Sequence, residues 1–101
     1  MYGLIEKMVA ASGQREALVK ILLEGCSSMP GCLSYIVAQD PTDVCAIWVT
    51  EVWDSQQSQR AASSLPSVQR AIERGKPLIA SFGGLTVTEP LGGCGLNGRS
   101  S

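Results

Sequence analysis

The stretch CLSYIVAQDPTDVCAIWVTEVW, residues Cys32–Trp53, carries the strongest structural signal in the sequence. Its second half, Val44–Trp53, is rich in Val, Ile, Thr and Trp, which favour β-strands. Its first half, Cys32–Gln39, has the same character. The segment Asp40–Asp43 between them has the composition of a turn, with a proline suited to the second turn position. We therefore predict two antiparallel strands joined by a short turn.

The second strand of this hairpin is largely apolar on both sides. Successive side chains of a strand point to opposite faces of the sheet, which places Ile47, Val49, Glu51 and Trp53 on one face and Ala46, Trp48, Thr50 and Val52 on the other. An antiparallel sheet with one face in water alternates apolar and polar residues instead. We therefore expect helices on one face and the same face of a second subunit on the other, which gives a two-fold homodimer.

The rest of the sequence supplies two further strands and the helices. After Ser12-Gly13, a break and candidate helix cap, apolar residues recur at three- and four-residue steps as far as Pro30-Gly31, which indicates an amphipathic helix. The other predicted elements are a first strand Tyr2–Val9, a helix capped by Asp54 or Ser55 that runs to about Ala62, a renewed helix Ser67–Arg74, a short helical turn within Pro77–Phe82, and a last strand Leu85–Glu89.

This order of elements predicts an α+β protein with the ferredoxin-like βαββαβ arrangement, in which helices cover one face of a four-stranded antiparallel sheet. A chain of 101 residues is the size of one domain, which we place at residues 1–91. The sequence from Gly92 is rich in Gly and Ser and shows no periodicity. Residues 92–101 are therefore expected to form a flexible tail.

The composition argues against several classes of function. The net charge is −1, and the eight Lys and Arg residues are spread along the chain, whereas nucleic-acid binding needs clustered positive charge. No apolar stretch approaches the roughly 20 residues of a membrane span, and the N-terminal residues have no signal-peptide pattern. We expect a cytoplasmic protein without a nucleic-acid or membrane partner.

The sequence contains no histidine, so no Ser-His-Asp or Cys-His arrangement can form. Its cysteines are Cys26, Cys32, Cys45 and Cys94, and no two of them form a C-x-x-C pair. Zinc sites made only of thiolates usually contain such pairs. We interpret these cysteines as small apolar residues and expect no metal site.

Two segments resemble the antibiotic biosynthesis monooxygenase domain family: PGCLSYIVAQDP (Pro30–Pro41) and TEVWDS (Thr50–Ser55). The resemblance extends over about residues 2 to 91. It implies a dimeric α/β barrel and oxidation of a quinol or a polyketide-like phenol by O₂ without metal or flavin. The family also includes haem-degrading enzymes and an isomerase.

The resemblance also indicates the residues of the site. Glu51-x-Trp53 matches the family's strand-end motif, whose Trp lines the substrate pocket in several members, and Tyr35 matches the aromatic residue after PGCLS. Family histidines usually occur where this sequence has Ala62 and Ser67, and Glu6 stands where the haem-degrading members have an Asn. We therefore expect neither haem nor any other cofactor.

The candidate catalytic residues are Trp53, Glu51, Tyr35 and Glu6. A phenolate is a far better electron donor to O₂ than the neutral phenol, so the site needs a proton acceptor. A desolvated Glu51 or Glu6 has a raised pKa and becomes a usable base. Trp53 offers an indole N–H and a flat wall for an aromatic ring, and Tyr35 can donate a hydrogen bond to developing charge on oxygen.

Structural roles are open to the same residues: packing for Trp53 and Tyr35, and ion pairing for the two glutamates. Trp48, on the opposite face, is assigned to the dimer interface. Two other functions also fit the predicted fold. One is an isomerase or cyclase that works by proton transfer, and the other is a dimeric module that binds a small molecule without turnover.

Overall fold

The computed structural model describes residues 1–96. Its elements follow the predicted order: β1 (Tyr2–Ala10), α1 (Arg15–Gly25), β2 (Cys32–Gln39), β3 (Ala46–Trp53), α2 (Gln56–Ala62), α3 (Pro66–Gly75), a 3₁₀ turn (Lys76–Leu78) and β4 (Ile79–Thr88). The strands form one antiparallel sheet in the order β2-β3-β1-β4. This is the predicted ferredoxin-like α+β fold, and the predicted β2–β3 hairpin is confirmed. Residues 97–101 of the predicted tail lie outside the described residues.

Two of the three α-helices, α2 and α3, begin at residues that suit a helix start. The Ser55 hydroxyl accepts a hydrogen bond from the backbone N–H of Ser58 at the start of α2, so Ser55 is the cap of the two candidates predicted, Asp54 and Ser55. Pro66 occupies the first turn of α3, where its missing N–H costs nothing. At α1 the expectation was wrong, because Gln14 and not Ser12 holds the cap position, and its side chain makes no capping hydrogen bond.

The last strand begins earlier than the sequence predicts. Only Lys76–Leu78 forms a 3₁₀ turn, and from Ile79 onward the chain is extended and paired with β1. The predicted helical turn over Pro77–Phe82 is therefore wrong for its second half. The pair Gly83-Gly84 lies inside β4 and not at its boundary. At this pair the register with β1 shifts, and Gly84 has φ +140°. Such a bulge bends the strand without ending it.

The core lies between the sheet and the helices. Its buried members are Met8 and Ala10 of β1, Leu18 of α1, and Ile47 and Val49 of β3. The helices α1 and α3 pack side by side over the sheet. A Cβ on Gly25 would lie 2.6 Å from the Cβ of Ala71, so this close approach of the two helices needs a glycine on α1.

The opposite face of the sheet is open in the single chain. Ile5 and Ile36 lie on either side of Thr50 in the register, so both share the face of Trp48. Trp48 and Ile5 are each 37% exposed and Ile36 is 56% exposed. The predicted cover of this face by a second subunit stays a prediction.

Within residues 1–96, no helix is both long enough and apolar enough to cross a membrane. The cytoplasmic location inferred from the sequence stays a prediction.

Candidate functional site

A cavity of about 510 Å³ lies between the helix-covered face of the sheet and the helices. This volume is typical of sites that enclose a small organic molecule. Its walls are mainly apolar and include Met8 and Trp53 on the sheet, Leu22 on α1, Val68 and Ile72 on α3, and Phe82 on β4. Every element except the hairpin turn therefore contributes to the enclosure or to its support.

All four candidate residues from the sequence, Glu6, Tyr35, Glu51 and Trp53, line this cavity. Their placement follows from the strand register. Tyr35 of β2 lies directly opposite Glu51 of β3. Glu6 of β1 lies opposite Val49, two residues from Glu51, so the two glutamates are diagonal neighbours on the same face of the sheet. The structure thus brings together residues that are up to 47 positions apart; their catalytic roles stay predictions.

Trp53 fixes the position of Glu51. The indole is almost completely buried, with 2% of its surface exposed. Its Nε1–H donates a hydrogen bond of 2.8 Å to Oε1 of Glu51. Hydrogen bonds to an ionised acceptor are shorter and stronger than neutral ones. Glu51 is therefore held against the Trp53 ring with one carboxylate oxygen engaged and the other available.

The cavity shifts the acid–base properties of both glutamates. Burial raises the pKa of Glu51; the Trp53 hydrogen bond opposes this rise, and the nearby Glu6 charge adds to it. Burial also raises the pKa of Glu6. Among the described residues the Glu6 carboxylate has neither a hydrogen bond nor an ion pair with another side chain. Both groups are thus better proton acceptors near neutral pH than an exposed glutamate.

Tyr35 stays protonated in this environment. Burial raises the pKa of its phenol well above the usual range, and the negative charge of the facing Glu51 raises it further. A neutral phenol donates a hydrogen bond but does not act as a base at ordinary pH. The geometry therefore supports Tyr35 as a hydrogen-bond donor beside the two carboxylates.

The helix α2 adds polar residues that the sequence reasoning missed. Gln59 and Ser63 line the cavity one helical turn apart, beside Ala62, the residue at which the family resemblance predicts a histidine. The Ser63 hydroxyl donates to the Arg60 carbonyl oxygen at 2.6 Å, while the Gln59 side chain makes no hydrogen bond to another described residue. Gln59 lies three residues before Ala62, so this spacing, taken together with the family resemblance at Ala62, was the signal for Gln59, whereas Ser63 is adjacent to Ala62 and has no such signal.

A smaller cavity of about 370 Å³ adjoins the first and shares Cys26, Met29 and Tyr35 with it. Cys32 also lines this second cavity, and burial raises the pKa of its thiol. All four cysteines are free thiols. Over residues 1–96, no group of three or more His, Cys, Asp or Glu residues is arranged to hold a metal ion.

Comparison with known proteins identifies relatives of this chain. The profile of the antibiotic biosynthesis monooxygenase family matches residues 1–74. A solved structure from Chloroflexus aurantiacus, named as a candidate antibiotic biosynthesis monooxygenase, is 62% identical over 95% of this chain and 98% of its own, with a TM-score of 0.93. No curated protein matches the sequence.

More distant structures show the fold alone. A candidate antibiotic biosynthesis monooxygenase from Deinococcus radiodurans is 24% identical, with a TM-score of 0.76 over 97% of this chain and all (100%) of its own. One from Nitrosomonas europaea is 14% identical, with a TM-score of 0.81 over 90% of this chain and 99% of its own. The fold thus persists where little of the sequence does.

Proposed function

This chain belongs to the antibiotic biosynthesis monooxygenase family, and on that basis we propose that it oxidises a quinol or a polyketide-like phenol with O₂ without a cofactor. The observation that supports this proposal is the pair Glu6 and Glu51, held on one wall of an apolar cavity large enough for an aromatic molecule. The wall offers proton acceptors for a phenol, and the rest of the cavity offers a dry enclosure for the reaction with O₂.

In the proposed reaction the substrate occupies the cavity with a hydroxyl directed at Glu51, whose carboxylate is oriented by the buried Trp53 indole. Glu51 is the first proton acceptor because Trp53 orients it and because its raised pKa suits a base near neutral pH. Tyr35, directly opposite Glu51, donates a hydrogen bond to the phenolate oxygen as charge develops there. Glu6 lies close enough in the register to take the proton next or to accept one from a second hydroxyl.

The phenolate then transfers one electron to O₂, which gives a phenoxyl radical and superoxide in one enclosure. Their combination forms a C–O bond at a ring carbon and, with one proton, a hydroperoxide. Loss of water leaves one atom of O₂ as a carbonyl oxygen and the other in the water. The substrate supplies the electrons, so the protein is required to bind, deprotonate and exclude bulk water.

Oxygen uptake tests the proposal. Chelator-treated protein with a panel of hydroquinones and anthrones should consume O₂ faster than the compounds autoxidise. The Glu51→Gln variant should lower kcat by about a hundredfold, the usual contribution of a positioned general base. Glu73→Gln on the exposed surface of α3 is the matched control and should retain full activity. A panel with no rate above autoxidation would contradict the proposed monooxygenase activity.

The same carboxylates favour one alternative function. A base that abstracts a proton from carbon can also serve an isomerase or cyclase, which needs no O₂. Product formation under anaerobic conditions would identify this function. Binding of the panel without any turnover would leave a ligand-binding module.

We also propose that the open face of the sheet pairs with the same face of a second copy. Three large apolar side chains there, Ile5, Ile36 and Trp48, are each more than a third exposed in the single chain. Sedimentation should show a dimer at micromolar concentration and a monomer for Ile36→Glu. Val44→Glu in the hairpin connection, at a residue that is 78% exposed, should leave the dimer intact. A monomeric unmodified protein would refute this pairing.

A further inference from the structure

We propose that the cavity selects its ligand by charge: Glu6 and Glu51 admit a neutral hydroxylated aromatic and exclude the same aromatic when it carries a negative charge. This inference deepens the proposed function and rests on its assignment of the cavity as the substrate site. It concerns binding and not turnover, so the charge selection and the proposed monooxygenase activity can fail separately.

The negative charge lies on one wall of the cavity. Glu6 and Glu51 project from adjacent strands as diagonal neighbours, and each is on the face that lines the cavity. The two carboxylates are close enough for the charge of Glu6 to add to the burial that raises the pKa of Glu51. An anionic ligand beside them would meet the same repulsion, in a medium that screens it less than water does.

Within residues 1–96, no cationic side chain inside the cavity offsets these charges. Among the described residues that line it, the one basic side chain is Lys76, which is exposed and lies on the 3₁₀ turn at the rim. The remaining titratable lining groups are the Cys26 thiol, directly after α1, and the Tyr35 phenol of β2. Tyr35 stays neutral, as shown above, and Arg74 of α3 pairs with Glu24 at 3.2 Å.

The polar groups of the cavity also favour a hydroxylated neutral ligand. Two carboxylates accept hydrogen bonds from ligand hydroxyls on the sheet side. Gln59 on α2 presents a carboxamide to the cavity and is available to a ligand carbonyl or hydroxyl. A ligand with hydroxyl donors at one edge and a neutral acceptor at the other satisfies both walls.

A matched ligand pair tests the charge selection. A hydroxynaphthalene sulfonamide and the corresponding sulfonate have nearly the same size and shape, and only the sulfonate is charged throughout the pH range. Binding is measured by calorimetry under anaerobic conditions, which prevents turnover. At about pH 8, well above the ordinary pKa of a glutamate, the sulfonate should bind at least about tenfold more weakly than the sulfonamide.

Variants assign the selection to the two carboxylates. Glu6→Gln and Glu51→Gln should each reduce the difference in affinity between the sulfonamide and the sulfonate. The double variant should reduce this difference to about twofold or less. Lys76→Gln at the rim should leave the difference in affinity between the two ligands unchanged or increase it slightly. Circular dichroism checks the fold of each variant. If the double variant does not fold, the near-isosteric single variants still test the prediction.

The pH dependence has a defined sign. Both glutamates have raised pKa values. The preference for the sulfonamide over the sulfonate should therefore be complete above those pKa values and should decline as the pH falls through them. Three results would overturn the inference: a sulfonate that binds as tightly as the sulfonamide, a difference that survives in the double variant, or failure of both compounds to bind. If charge selection is found without O₂ uptake on the hydroquinone panel, only the proposed monooxygenase function fails.

Discussion

The hydrogen bond between Trp53 and Glu51 connects the core to the candidate site, and its removal has a predictable cost. Trp53→Phe deletes the indole N–H that lies 2.8 Å from the Glu51 carboxylate, and it leaves a smaller ring in a position that is 2% exposed. A hydrogen bond to a charged group contributes about 1.5 kcal/mol at the low end of its range, which applies because Glu51 is only partly buried. The void left by the smaller ring adds about 1.5 kcal/mol.

A double-mutant cycle separates these two contributions. Glu51→Met removes the acceptor but keeps an unbranched side chain of similar length. In that background Trp53→Phe should cost only the packing part, so the coupling energy between the two positions should be about 1.5 kcal/mol. Urea unfolding followed by circular dichroism at one fixed protein concentration gives all four stabilities, because association would otherwise shift the midpoints.

The coupling should depend on pH in one direction. The ionised carboxylate is the stronger acceptor, and burial raises the pKa of Glu51. The coupling is therefore complete above this raised pKa and should fall as Glu51 becomes protonated. In Trp53→Phe the pKa of Glu51 should rise further, since the opposing hydrogen bond is gone, and an NMR titration measures this. A coupling below about 0.3 kcal/mol, or one that grows on acidification, would refute the reasoning.

Three further changes test other parts of the structure. Glu6→Gln should stabilise the protein by about 0.5 kcal/mol at neutral pH, because the raised pKa of Glu6 reflects an unfavourable buried charge. Measured by urea unfolding, this gain in the free energy of unfolding should vanish at about pH 4. A gain that grows as the pH falls would contradict the prediction. Gly31→Ala should cost about 2–3 kcal/mol in the same assay, since φ is +83° and a Cβ would lie 2.6 Å from Ser58. The control Gly13→Ala, with φ +75° and no atom within 4 Å, should cost only about 1 kcal/mol, and equal losses would show that the contact does not matter. Arg15→Met should destabilise the protein by about 1 kcal/mol and speed amide exchange in the β2–β3 connection. One guanidinium nitrogen of Arg15 contacts the carbonyl oxygens of Asp40 and Asp43 in this connection and of Ala46 at the start of β3, at 2.9–3.4 Å. Unchanged exchange would argue against this role.

Local signals in the sequence were sufficient for most of the elements. The apolar run of β3, the turn residues before it and the cap at Ser55 each act over a few residues, so their outcome does not depend on distant parts of the chain. The start of β4 could not be predicted in this way. Residues 79–82 are extended because they pair with β1, about 70 positions earlier in the chain, and the glycines that look like a break allow a bulge within that pairing.

The candidate site likewise has a part that local patterns predict and a part that depends on pairing between distant strands. Alternation along β1 and β3 places Glu6, Glu51 and Trp53 on consistent faces, and the family resemblance selects them from the other polar residues. The diagonal contact of the two glutamates depends on the register between β1 and β3, which no local pattern specifies. Gln59 was missed because α2 is only seven residues long, too short for its own sequence to show which side faces the cavity.

The register of β1 with β4 has a mechanical consequence. These strands are antiparallel, and Gly3 near the start of the first lies opposite Thr88 at the end of the last. A force that pulls these two residues apart acts across the ladder and loads its hydrogen bonds one after another, so the sheet should unzip at low force. The same proximity means that a short peptide could join the two ends, while new ends opened between β2 and β3 would leave every strand pairing with β1 in place.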